Sequence, residues 1–372
     1  MLFPTVEFAI FFLLTFAVNW LLRNHNTARK VFLIAASYFF YGYWDWRFTF
    51  LLLGSSLMAY LFGRALGRPT CAREPALFDS TRRRRALLVT AVSANLLVLA
   101  FFKYVGFLLT SVANLNLAIG LGLNIPVFKV LLPVGISFYT FHAISYLVDV
   151  YRGEVAPSRS VFDVLLYMAF FPLLIAGPIA RAKAFMPQLQ DSPDHQHIPA
   201  ARAFPLIALG LFKKVVIAHY LATQVVDPVF EVPLGRSGLD VLAGVYGYAV
   251  QIFCDFSAYS DMAIGFALLL GITVPDNFRT PYRSLSLTEF WRRWHISLSS
   301  WLRDYLYIPL GGSRCGVFRN YLNLLVTMVL GGLWHGASWT FVAWGMLHGL
   351  GLASERALGR PQGVAGLPTA QW

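Results

Sequence analysis

Phe3-Pro-Thr-Val-Glu-Phe-Ala-Ile-Phe-Phe-Leu-Leu-Thr-Phe-Ala-Val-Asn-Trp-Leu-Leu22 is a 20-residue stretch whose only strongly polar groups are Glu7 and Asn19. A helix of that length, rising about 1.5 Å per residue, crosses a hydrocarbon core of about 30 Å. Arg23, Arg29 and Lys30 follow it. A cleaved signal peptide would carry its positive charge before the apolar run and a small-residue site after it. The order here is the reverse, so the stretch reads as an uncleaved first span. The basic residues place the loop after it in the cytoplasm and the N-terminus outside.

The pattern recurs along the 372 residues. Further apolar runs cover 31–62, 86–109, 127–150, 161–179, 203–226, 239–270, 321–333 and 339–352. The first of these is broken by Tyr41-Gly-Tyr-Trp-Asp-Trp-Arg47, which reads as an aromatic belt between two helices. Between runs, residues 64–85 read as a polar cytoplasmic loop, marked by Arg82 to Arg85 in a row. Pro133, Gly135, Pro172, Gly177 and Pro178 interrupt other runs. Broken helices at membrane depth are tolerated only where protein or a water-filled cavity covers the freed backbone. The expected fold is therefore all-α and polytopic, with about nine to eleven membrane segments at the usual span length, some re-entrant, around an internal chamber. We expect one membrane domain over 1–360 and a short polar tail over 361–372.

Composition agrees. Hydrophobic residues make up 57% and charged residues 13%, and mean hydropathy is +0.60. That charged share is about half the usual share in a soluble domain. The net charge is +12, from 24 Arg and 6 Lys against 18 acidic residues. Because the basic residues sit between apolar runs, they point to cytoplasmic loops near anionic lipid and away from nucleic acid. Cys71, Cys254 and Cys315 have no metal or redox spacing, so no metal site is expected.

The unusual segment is 278–319. It contains Phe290-Trp-Arg-Arg-Trp-His-Ile-Ser-Leu-Ser-Ser-Trp-Leu-Arg-Asp-Tyr305. Thr288 is the expected N-cap of one helix running to Tyr305. At about 100° per residue, Trp291, Trp294, His295, Leu298, Trp301, Leu302 and Tyr305 share a face. Arg292 and Arg303 lie on one flank, and Arg293 and Asp304 on the other. An amphipathic helix in the membrane interface would account for the Trp and Arg residues. It leaves His295, on the apolar face, as a core residue or a catalyst.

His335 lies in Leu330-Gly-Gly-Leu-Trp-His-Gly-Ala-Ser-Trp339, inside an apolar run. An ionisable residue there is a functional-site candidate. A neutral imidazole suits general-base work on an alcohol. Gly332 and Gly336, and Gly345 and Gly349, are spaced to admit close approach by another helix or a ligand. Acyl transfer from a thioester to a hydroxyl needs a base, an oxyanion stabiliser and a path for each substrate. Asp255 and Asp261 read as polar stitching between helices. Ser257 stands one turn from Asp261, and Arg279 and Arg283 are candidate partners.

These segments resemble the membrane-bound O-acyltransferase (MBOAT) family, most closely its alginate O-acetyltransferase branch. The likeness rests on Arg279-Thr-Pro-Tyr282, the 290–299 motif, Tyr305-Leu-Tyr-Ile-Pro-Leu-Gly-Gly312 and the 330–339 motif. Gln251-Ile-Phe-Cys-Asp-Phe-Ser-Ala-Tyr-Ser-Asp-Met262 and Phe171-Pro-Leu-Leu-Ile-Ala-Gly-Pro178 add to it. The resemblance implies a helical fold with a tunnel, a thioester donor entering from the cytoplasm, His335 as the catalytic histidine and His295 as the second active-site position. Trp294, Arg293, Trp334 and Trp339 are the expected substrate-binding residues. No bound cofactor is expected, with acetyl-CoA as the donor substrate. The resemblance further implies a bacterial inner-membrane location and a periplasmic acetyltransferase partner that places the acetyl group on an exported polysaccharide such as alginate or cellulose. D-alanyl transfer to teichoic acid, a transporter and a non-enzymatic scaffold are the competing readings. Family members usually continue well past the catalytic histidine, whereas this chain ends at Trp372, 37 residues beyond His335. A natural short form, a fragment and a disrupted gene are the readings of this short C-terminal part.

Overall fold

Apolar runs of span length have to satisfy their backbone internally, and every regular element among the described residues is helical. The computed structural model describes residues 1–67, 77–128, 130–194, 198–232 and 234–359. Among the described residues, four helices are long and apolar enough to cross a membrane: Arg47–Leu66, Thr81–Ala118, Ala200–Glu231 and Gly238–Leu269. Val6–Leu21 is apolar but shorter, at 16 residues. Thr5 caps it, its hydroxyl accepting from the Phe8 N–H at 3.3 Å.

Other expected segments are broken where Pro and Gly stand. The 161–179 run gives Val161–Ala169 and Phe171–Leu174, with Pro172 in the first turn of the second piece, where its missing N–H is tolerated. The 127–150 run becomes helical only at Ile136, after Gly135 with φ of +75°.

One loop expectation is overturned. Arg82 to Arg85 belong to a continuous helix, Leu77–Ala118, and not to a solvated loop. Arginine is a strong helix former, and Arg84 has a task there. Its guanidinium donates to the Leu66 and Tyr151 carbonyls, both at 3.0 Å, and lies 5.1 Å over the Tyr151 ring. Those carbonyls close the C-terminal ends of Arg47–Leu66 and Ile136–Arg152, where a cation complements the helix dipoles. Residues 68–76 of that loop, including Cys71, and the tail over 361–372 lie outside the described residues.

The described chain divides into two compact units. The first comprises Met1–Leu57 and Ser160–Asn277, the second Met58–Arg159 and the residues from Phe278 onward. The first unit is built around an aromatic cluster of Phe3, Phe8, Phe11, Phe40, Phe171 and Phe266. In its hairpin of Ala200–Glu231 and Gly238–Leu269, Lys213 bonds Asp261 at 2.6 Å and Ser257 at 3.3 Å, and Lys214 pairs with Asp255. The aspartates do stitch helices, but Asp261 is held by Lys213 in place of the arginines expected at 279 and 283.

The second unit contains the hairpin of Val317–His335 and Trp339–Ala357. A Cβ on Gly345 would stand 2.8 Å from the Val329 Cα, and one on Gly332 would stand 3.2 Å from the Gly345 Cα. The spaced glycines thus admit each other's backbones within this hairpin.

Candidate active site

The single helix expected from Thr288 to Tyr305 is two helices. Ser286, two positions before the expected Thr288, caps the first, Leu287–Arg293, by accepting from the Glu289 N–H at 3.0 Å. Trp294 is extended, and His295 adopts the left-handed conformation, with φ 45° and ψ 54°. Ile296–Leu302 follows and runs on as a π turn over Arg303–Tyr307. The break coincides with a bond to a segment 14 positions upstream: the Arg293 carbonyl accepts from the Arg279 N–H at 2.9 Å and is drawn out of the helical ladder. His295 is 0% exposed.

His335 is the last residue of Val317–His335 and so stands at a helix end. Gly336 closes the helix by donating to the Gly332 carbonyl at 3.2 Å, and Ser338 caps the next helix. The two imidazoles meet inside the second unit, their ring centroids 6.3 Å apart. Trp334 bridges them, 5.8 Å from His295 and 5.1 Å from His335, and Trp344 meets His335 edge-on at 5.4 Å.

A cavity opens beside His335, with about 690 Å³ of non-atom space, its mouth included. Trp291, Leu298, Leu302, Leu324, Met328, Trp344 and Leu352 give it an apolar wall. Thr288, Ser299, Thr327, Tyr307 and Arg356 supply polar groups. Arg356 is anchored by donating to the Tyr307 hydroxyl at 3.0 Å and to Asn320 Oδ1 at 2.6 Å. Largely apolar walls with a few convergent polar groups suit a small-molecule site.

The expected substrate-binding residues fall in different places. Trp334 is buried against Phe138 and Phe141, at 5.5 and 5.4 Å. Trp294 packs on Phe278 and Phe290, at 5.1 and 5.5 Å. Arg293 is committed to Glu289 at 2.7 Å, to the Arg279 carbonyl and to Thr280. Trp339 is 66% exposed, donating to Ser111 Oγ at 3.2 Å. Of the six expected site residues, His335 alone borders the cavity. The Glu289 carboxyl, outside the spans, is held below its ordinary range by the Leu285 N–H first and by Arg293 beside it. Among the described residues no group of His, Cys, Asp or Glu is arranged to hold a metal ion.

Three supporting residues escaped the sequence reading. Glu355 caps Leu287–Arg293 from the neighbouring helix, accepting from the Leu287 and Thr288 N–H groups at 2.5 and 3.0 Å. Lys103 bonds Ser137 Oγ at 3.2 Å and the Trp334 carbonyl, and Tyr104 donates to the Leu333 carbonyl at 2.9 Å. The signal for Lys103 was available: it is the single charged residue in the 86–109 run.

The family model described as MBOAT, membrane-bound O-acyltransferase family, matches residues 40–362. A probable alginate O-acetylase AlgI of Pseudomonas putida is 43% identical over 96% of this chain and 71% of its own length. The corresponding protein of Pseudomonas aeruginosa is 42% identical over 96% of this chain and 66% of its own. A peptidoglycan O-acetyltransferase of Helicobacter pylori is 38% identical, over 88% of this chain and 64% of its own. The chain thus spans about two thirds of the length of these relatives. On this match across both histidine motifs, the chain belongs to the membrane-bound O-acyltransferase family.

Proposed function

We propose that this chain is a membrane O-acyltransferase that moves an acetyl group from a thioester donor, acetyl-CoA, toward an exported polysaccharide. The observation that carries the reading is the pair His295 and His335, brought within 6.3 Å from separate elements, with His335 bordering a largely apolar cavity. In the proposed reaction the His335 imidazole takes the proton of an acceptor hydroxyl as its oxygen attacks the thioester carbonyl carbon. The tetrahedral intermediate collapses with cleavage of the C–S bond, and the leaving thiolate takes the proton from the His335 imidazolium, which returns the imidazole to its neutral form. His295 orients the acceptor, and Trp334 holds the two imidazoles in register. The Trp291 and Trp344 wall limits water, and so limits hydrolysis of the donor.

Alginate is the acceptor polymer we favour, because the relatives at 42 and 43% identity carry the name alginate O-acetylase; cellulose is the alternative polymer. The location we propose is the bacterial inner membrane, with the donor taken from the cytoplasm and a periplasmic acetyltransferase as partner. D-alanyl transfer stands as a second reading, since a teichoic acid D-alanyltransferase of Streptococcus thermophilus is 33% identical over 60% of this chain. The test is polymer acetyl content in cells lacking the gene, complemented with wild type or His335→Ala. Restoration by wild type alone is the expected result. Restoration by both would remove His335 from the chemistry.

A further inference from the structure

We propose that Lys103 is a positioning residue for His335. Resting on the reading of His335 as the base, it goes beyond it by naming what holds that base in place. Lys103 sits within Thr81–Ala118, a helix apolar enough to cross a membrane. A lysine there is expensive, and such residues either pair or serve a site. Its partners among the described residues are the Ser137 hydroxyl, the Trp334 carbonyl and the Trp334 ring, 5.5 Å away; no carboxylate is among them.

What takes the counter-ion's place is a helix end. The last four carbonyls of a helix have no partner within it, and the helix carries about half a negative charge there. Leu333 and Trp334 are two of those four in Val317–His335. Tyr104 and Lys103, adjacent in the chain, take one each. The Trp334 carbonyl belongs to the peptide bond that carries the His335 N–H, so holding one fixes the plane of the other. The side chain of Lys103 also covers the Trp334 ring that stands between the two imidazoles. A lysine and a tyrosine therefore clamp the final turn on which His335 is mounted, from a helix outside the histidine motifs.

The experiment uses the full chain in proteoliposomes supplied with acetyl-CoA and an alginate oligosaccharide as the hydroxyl acceptor, with Lys103→Met, Lys103→Arg and Tyr104→Phe, following thiol release per folded molecule. Lys103→Met keeps the stem and removes the cation. It should lower kcat about 100-fold, the scale of a misplaced catalytic group, and leave KM for acetyl-CoA close to wild type. Lys103→Arg keeps charge and donors and should recover most of the loss. Tyr104→Phe should fall between. Wild-type kcat in Lys103→Met, or no recovery in Lys103→Arg, overturns the proposal. If the wild type itself releases no thiol, the acyltransfer reading fails, and amide hydrogen exchange then decides the clamp alone. Lys103→Met should speed exchange at 333–336 and leave 320–328 as in wild type, with Lys103→Arg reversing the effect. Unchanged exchange at 333–336, or faster exchange along the whole helix, overturns it.

Discussion

Two regions put lysines into apolar helices and neutralise them differently. In the first unit, Lys213 and Lys214 each face an aspartate on the partner helix, Asp261 and Asp255. In the second, Lys103 faces a hydroxyl, a helix end and an indole ring. A matched ion pair satisfies both of its members and joins two helices. A cation held by a helix terminus instead fixes one turn of backbone, and here that turn carries His335. On the proposed reading, the difference separates charges that build the fold from charges that serve the site, although all stand in similarly apolar sequence.

The largest effect should come from the imidazole itself. His335→Ala removes the proposed base and should reduce acyl transfer by about 10²–10⁴-fold, the usual share of a general base, while the protein still inserts and elutes as a folded species. Turnover with membranes containing equal amounts of protein measures it. Loss of insertion together with turnover would return His335 to the structural class.

The first unit should respond in the opposite manner. Lys213→Met strands the half-buried Asp261 carboxylate and should lower stability by about 3 kcal/mol, the scale for breaking a buried pair. Turnover per folded molecule should not change. The double variant Lys213→Met with Asp261→Leu should recover much of the stability, because neither charge is left alone. Thermal unfolding in detergent, paired with thiol release, checks both. A loss of turnover in the folded double variant would move this pair into the functional class and erase the contrast.

His295 tests a finer point, since it has a proposed role in the site and also adopts a left-handed backbone. Asparagine tolerates that conformation, whereas a β-branched residue does not. His295→Asn should keep the Leu287–Arg293 and Ile296–Leu302 break and lose only part of the turnover. His295→Val should lose stability as well, by about 1–2 kcal/mol. Equal stability in the two variants would show that the break is set by the Arg279–Arg293 backbone bond alone.

How much of this was legible in the sequence depends on the reach of each feature. Span-length apolar runs are local, so the helical class and the interruptions at Pro172 and Gly135 could be read directly. His335 was legible as an ionisable residue in such a run. The break at Trp294–His295 was not, because a helical wheel assumes unbroken rotation while the cause is an N–H 14 positions upstream, that of Arg279. Asp261 was assigned arginines close to it in sequence, but its partner Lys213 lies 48 positions away across a hairpin. Lys103 carried the same signal as His335, a lone ionisable group in an apolar run. Its meaning depended on a contact 231 positions away.

The smallest effect belongs to the support of the first histidine-bearing segment, outside the spans. Glu289 accepts from the Leu285 N–H at 3.0 Å and from Arg293 Nε at 2.9 Å, which holds its carboxyl below the ordinary range. A carboxyl depressed in the folded state contributes its stability above its ordinary pKa of about 4.3. That contribution is lost as pH falls through the lower folded value. Glu289→Gln should therefore cost a little stability at neutral pH and nothing once the wild-type carboxyl is protonated. The stability curves of the two proteins should converge on acidification. Near-neutral turnover should drop slightly, because Arg293 would lose its carboxylate while Glu355 still caps the helix. If the curves instead stayed parallel down to low pH, Glu289 would act through packing alone. Arg293 would then be available to the substrate role expected of it from sequence.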